Sequence, residues 1–234
     1  MRTPSIICLV MFLGLSSAFA ADTKEIISML KGGDLVIVFR HGETDNRQKD
    51  IYPFKFDDLT AQRQLSEKGR ETARQIGSAL KDLAIPVGDV FASKLHRAIE
   101  TGELLTGKQV VGLDALTDSS AGSASGMANP GGANTKAGLA MRNLVNTAPK
   151  TGTNTLLVTH KTNFADAFGK EAGDVQEAEA FVYRPNSSGP PTLIGRGKRR
   201  TGPLRPPSSD ASQQRITSRQ PSPNPRIRYI RFES

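Results

Sequence analysis

The chain has 234 residues and a mass of 25.1 kDa, enough for one domain with a sizeable core. Hydrophobic residues at 37% and charged residues at 23% exclude wholesale disorder and a multi-span membrane protein, and a single cysteine, Cys8, excludes an intramolecular disulfide and a zinc site built on several thiolates. The net charge of +8 points to nucleic acid only until it is located: residues 196–234 hold ten Lys/Arg and two Asp/Glu, whereas residues 1–195 hold 21 of each sign, so no basic groove spread over the fold and no specific nucleic-acid partner is expected.

Residues 1–20 read as an export signal. Arg2 supplies positive charge, residues 6–15 form an apolar run, and Ala18-Phe19-Ala20 offers a small-x-small cleavage site before Ala21. The run is far shorter than the roughly 20 residues of a bilayer span. The expected product is periplasmic or secreted, with no transmembrane segment after cleavage and with Cys8 removed.

Residues 21–196 alternate strand and helix signals. LVIVFR (35–40) is a continuous apolar run, as in a strand covered on both faces. Ser66 can cap a helix reaching about Leu83, with Ile76, Leu80 and Leu83 on one face and Pro86 beyond its end. A strand is predicted over 89–93, a helix over 95–105 stopped by Gly107, and a strand over 109–113. A helix follows over 135–145, then the strand TLLVT (155–159), then a closing strand pair over 180–183 and 192–194. Alternating units imply a three-layer α/β/α sandwich with a mostly parallel central sheet. Residues 119–132 (SSAGSASGMANPGG) form a long, nearly uncharged loop, either functional or merely loose. The stretch 197–234, rich in Pro, Arg and Ser, is expected to be disordered. Its abrupt composition suggests a change of reading frame; the rival reading is a basic arm for an anionic envelope surface or nucleic acid.

Three predicted strands run into chemically dense segments: Arg40-His41-Gly42-Glu43-Thr44, Ser93-Lys94-Leu95-His96-Arg97, and His160-Lys161-Thr162-Asn163. Ligands of open α/β sheets bind beyond the carboxyl ends of the strands, so two histidines and two arginines are expected to share one crevice. Guanidinium forks match a multi-oxygen anion such as phosphate. A neutral imidazole among cations is a nucleophile for phosphorus, and with arginines supplying the positive field no metal and no cofactor is called for. Gly42 allows close backbone approach, and the backbone N–H groups of residues 161–163 would favour an anion if they open a helix.

VIVFRHGETD (36–45), LSEKGRETARQIG (65–77), VFASKLHRAIET (90–101) and LLVTHKTN (156–163) together resemble the histidine phosphatase superfamily, the phosphoglycerate-mutase-like group, over about residues 34–196. The resemblance implies that His41 is the phosphorylated nucleophile and that Arg40, Arg97 and His160 complete the phosphate pocket. It also implies an acidic proton donor, for which Asp118 is the candidate and Glu43 the alternative. Gly42, Thr44, Arg63, Lys161 and Asn163 are candidate substrate contacts. His96 is read as a helix-surface residue. Many members carry an Asn where this chain has Arg47, with Asn46 one place early, and the stretches 47–65 and 119–132 are too short for a large capping domain. The expected activity is a metal-independent phosphomonoesterase on a small phosphorylated substrate. The alternatives are a phosphohistidine-protein phosphatase and a non-catalytic phosphate-binding protein of the same fold.

Overall fold

A strand with apolar side chains on both faces is stable only between two apolar layers, and the central strand of this protein meets that condition. In the computed structural model, which describes residues 23–118, 135–199 and 230–233, β1 (Val36–Arg40) sends Ile37 and Phe39 into one buried cluster and Val36 and Val38 into another. The first cluster is closed by α1 (Thr23–Gly32), α2 (Glu67–Asp82) and α3 (His96–Thr106) through Ile26, Leu30, Ile76, Leu80 and Leu105. The second is closed by α4 (Thr135–Val145) and α5 (Lys161–Phe168) through Met141, Val145 and Phe164. Each large apolar side chain so buried contributes roughly 1.5–3 kcal/mol. The result is the expected α/β/α sandwich.

The remaining strands are β2 (Val87–Ala92), β3 (Val111–Gly112), β4 (Asn154–Thr159), β5 (Ala180–Arg184), β6 (Thr192–Arg199) and β7 (Ile230–Glu233), in the order β3-β2-β4-β1-β5-β6-β7. The first four strands in that order are mutually parallel, and β5, β6 and β7 add antiparallel pairings at the other side. Arg40 lies opposite Thr159 in the β1–β4 pair. Beyond it the chain turns to α2 on one face after β1 and to α5 on the other face after β4, so the carboxyl ends of these two strands flank a topological switch point.

Local signals explain most boundaries. The Ser66 hydroxyl accepts from the Gly69 N–H at 3.0 Å and caps α2. Gly107 ends α3 in the left-handed conformation at φ 66°. Helix α1 was not among the predicted elements; its pair Ile26 and Leu30, spaced i, i+4, is the signal for it. The expected disorder of 197–234 needs correction at both ends. Strand β6 continues to Arg199, and Ile230–Glu233 pairs with it in antiparallel register from Arg196 opposite Glu233 to Arg199 opposite Ile230. The reason is that β6 would otherwise present an open edge, and the alternating Ile230-Arg231-Phe232-Glu233 is a strand pattern that composition over the whole stretch conceals. The expected export signal (1–20), the loop 119–132 and residues 200–229 lie outside the described residues. No helix among those described is long and apolar enough to cross a membrane.

Asn154 ties three segments to the start of β4. Its Oδ1 accepts from the Leu35 N–H at 3.2 Å, and its Nδ2 donates to the carbonyls of Leu30 at 2.7 Å and Pro86 at 2.9 Å. The side chain is wholly buried, so Asn154→Leu leaves three backbone groups without that partner. Urea unfolding should register a loss of about 3 kcal/mol with the slope of the transition unchanged.

Candidate active site

The nucleophile candidate is set by the backbone on both sides of it. The Arg40 N–H bonds the Glu179 carbonyl at 3.0 Å, the His41 N–H bonds the Thr159 carbonyl at 3.0 Å, and the His41 carbonyl accepts from the Ala178 N–H at 3.1 Å. His41 is therefore fixed at the β1 terminus with 3% of its surface exposed. Its Nδ1 lies 2.8 Å from the Gly42 carbonyl. A carbonyl can only accept, so Nδ1 carries the proton of the neutral ring and Nε2 keeps its lone pair. The Gly42 N–H in turn donates to Thr101 Oγ1 at 3.1 Å, and that hydroxyl donates to the Arg97 carbonyl at 2.7 Å, linking the loop after β1 to α3. Gly42 lies close against α2, where a Cβ would stand 3.2 Å from the Gly69 carbonyl oxygen. The close approach expected of it is thus to the helix, and its carbonyl orients the imidazole.

His160, the N-cap residue of α5, is 2% exposed and its ring centroid is 5.0 Å from that of His41 at 59°. Arg97, at the start of α3, is 1% exposed and donates Nη1 to Asp50 Oδ1 at 2.8 Å. The same Asp50 oxygen accepts from the Arg63 N–H at 2.9 Å. Arg40 donates Nη1 to the Val175 carbonyl at 2.9 Å and Nη2 to Glu177 Oε1 at 3.3 Å.

Among the described residues, the buried side-chain N and O atoms without a hydrogen-bond partner are Nε of Arg40, Arg63 and Arg97, both ring nitrogens of His160, and Thr44 Oγ1. Buried polar atoms are nearly always satisfied in a native fold. Here the orphans belong to five residues of the sequence-predicted site, and most are N–H donors. Such a set fits an anion with several oxygens. Arg63, a candidate substrate contact, is one of these five.

Asp118 is held beside this group by the segment before it. The Thr159 hydroxyl donates to the Leu116 carbonyl at 2.8 Å, Asn163 Nδ2 donates to the Thr117 carbonyl at 2.9 Å, and the Thr162 hydroxyl donates to Asp118 Oδ1 at 2.8 Å. Asn163, a predicted substrate contact, is 1% exposed and spends its amide on that backbone bond; its small polar side chain serves the fold. Lys161 is exposed on the first turn of α5. Glu43 accepts from the Ser66 hydroxyl at 3.0 Å and pairs with Lys68 at 2.5 Å, so its carboxylate braces the start of α2. Arg47 is bonded to Asp45 at 2.7 Å and largely exposed. His96 bonds Gln64 at 2.7 Å through Nδ1, a partly exposed helix residue as expected. Sequence reasoning missed Asp50 and Thr101. A buried Arg97 demands a counter-charge, but nothing in the spacing selects Asp50 among the acids of its loop. Among the described residues no three His, Cys, Asp or Glu cluster as metal ligands.

Residues 36–152 match the histidine phosphatase superfamily (branch 1), and the chain belongs to that superfamily. Among solved structures it is similar to the protein histidine phosphatase SixA complexed with tungstate, at 18% identity over 69% of this chain and 95% of that one, with a TM-score of 0.48. It is also similar to a phosphoserine phosphatase from Entamoeba histolytica in complex with phosphoserine, at 15% identity over 69% and 95%, TM-score 0.45. A mycobacterial glucosyl-3-phosphoglycerate phosphatase aligns at 18% identity over 64% and 92%, TM-score 0.46. The comparison with curated proteins gave no match.

Burial is the main force holding both histidines well below the ordinary 6.5. For His41 the neighbouring His160 and Arg97 act in the same direction and the Gly42 bond opposes them; for His160 the guanidinium groups of Arg97, Arg40 and Arg63 add to burial. Both rings are neutral at pH 7. As pH falls through 6.5 the unfolded chain takes up protons that the folded chain refuses, so stability declines on acidification by up to about 1.4 kcal/mol per pH unit for each ring. Denaturant midpoints measured from pH 7 to pH 5 should fall, and His160→Gln should flatten that slope.

Proposed function

We propose that the protein is a phosphomonoester hydrolase working through a phosphohistidine on His41. The observation that carries the reading is the Nδ1–H to Gly42 carbonyl bond, which leaves Nε2 its lone pair in a cluster where Arg40 and Arg97, whose charges act on His41, keep unpartnered Nε atoms.

In the first step the Nε2 lone pair forms a bond to phosphorus and the P–O ester bond breaks. Asp118, as the carboxylic acid, gives its proton to the leaving oxygen and becomes the carboxylate. In the second step water attacks phosphorus, Asp118 takes a proton from it, the Nε2–P bond breaks and inorganic phosphate departs. The guanidinium N–H groups and His160 bear on the equatorial oxygens, whose charge must be held throughout. Fixed donors in a buried pocket do this with little reorganisation. Three guanidinium groups supply positive charge at the phosphoryl group, so chelators are expected to leave the rate unchanged.

The substrate is expected to be a small phosphorylated compound. His41→Ala should lower kcat by about four orders of magnitude, and vanadate should inhibit the wild type by imitating the five-coordinate transition state. Asp118→Asn should cost an alkyl phosphate about 10²–10³ in kcat/KM, which reports the first step alone, but para-nitrophenyl phosphate, whose leaving group needs no proton, less than about tenfold. Equal losses for the two esters would assign the proton to another group, and undiminished turnover by His41→Ala would overturn the reading.

A further inference from the structure

The loop between β1 and α2 presents an apolar surface that neither step above uses. Tyr52 is 45% exposed and Phe56 37% exposed. The rings form a row: Tyr52 and Phe54 have centroids 4.7 Å apart at 39°, and Phe54 and Phe56 are 6.2 Å apart at 46°. Lys94 Nζ lies 5.8 Å from the Phe56 centroid at the far end.

The row is fastened to the pocket at both ends. Asp50, two residues before Tyr52, accepts from Arg97 Nη1 at 2.8 Å and from the Arg63 N–H at 2.9 Å. At the other end Gln62 Nε2 donates to the carbonyls of Lys55 at 2.8 Å and Phe56 at 2.9 Å, while its Oε1 accepts from the His96 N–H at 2.9 Å at the start of α3. Gln62 is 2% exposed. Tyr52 thus stands within about two residue lengths, roughly 7 Å of chain, of the carboxylate that holds Arg97. Partial burial raises its phenol above the ordinary 10; the charges of Asp118 and then Asp50 act in the same direction, and those of Arg97 and Arg63 oppose them. Exposed aromatic area held rigid at a pocket mouth is costly in water and is relieved when a flat apolar group covers it.

We propose that Tyr52, with Phe54 beside it, is the leaving-group subsite, and that it selects phosphate monoesters whose alcohol carries an aromatic or similarly flat apolar group. The proposal rests on the phosphatase reading above. It assigns the phosphoryl group to the arginines and the alcohol portion to the aromatic row, with Asp118 between them.

The test compares phenethyl phosphate with n-butyl phosphate on the full chain. Both release a primary alcohol, so the intrinsic reactivity of the ester bond is matched and the difference reports the contact. The wild type should favour phenethyl phosphate by about tenfold in kcat/KM, the scale of one aromatic contact plus its buried area. Tyr52→Ala should bring that ratio below about twofold, Phe54→Ala should lower it in part, and Tyr52→Phe should retain it. A wild-type ratio near one, or a ratio that Tyr52→Ala does not move, would overturn the subsite while leaving the hydrolase in place. Failure of the wild type to turn over either ester would overturn the phosphatase reading and the subsite with it.

Discussion

A buried cluster of guanidinium and imidazole groups short of acceptors is the constraint on which the rest of this structure depends. Taking a guanidinium out of water is expensive unless it is paired. Arg97 has Asp50 and Arg40 has Glu177, each engaging the terminal nitrogens, while the Nε atoms have no partner among the described residues. The cluster lowers its own charge where it can: both histidines are driven toward the neutral form. What remains is a directed positive field around a neutral imidazole. An anion bound there would satisfy donors that the fold itself does not.

Holding such a cluster in place requires rigid support, and the sandwich provides it. The strands carrying His41 and His160 pair side by side, with Arg40 opposite Thr159, and the His41 N–H extends that ladder by one bond. Two apolar layers lock β1 and β4 from both faces. The loops are then tied crosswise rather than along the chain. Thr101 joins Gly42 to α3, Asp50 joins Arg63 to Arg97, and Asn163 joins Thr117 to α5. Each tie uses a short polar side chain and a backbone group, which fixes position without adding charge, except at Asp50.

Much of this was legible in the residues. Continuous apolar runs mark β1 and β4, Ser66 and Gly107 mark helix ends, and Arg40, His41, Arg97 and His160 after three strands point to one crevice. The cross-ties were not legible, because a hydrogen bond over dozens of residues leaves no periodic trace. Asp50 lies in a loop with no repeating pattern and has several acidic neighbours in sequence. Asn163 looked like a ligand because it follows His160 in a motif, yet its position on the inner side of α5 commits it to the Thr117 carbonyl. Strand β7 was hidden by the composition of its surroundings.

The central claim, that Nε2 of His41 attacks phosphorus, is tested most directly by trapping the intermediate. Enzyme turning over an aryl phosphate is quenched into alkali, in which phosphohistidine survives, and the digested peptides are weighed. The account predicts one added phosphoryl group on the peptide containing His41 and none on the peptide containing His160. Rapid turnover with His41 unmodified, or with the phosphoryl group on His160, would contradict it.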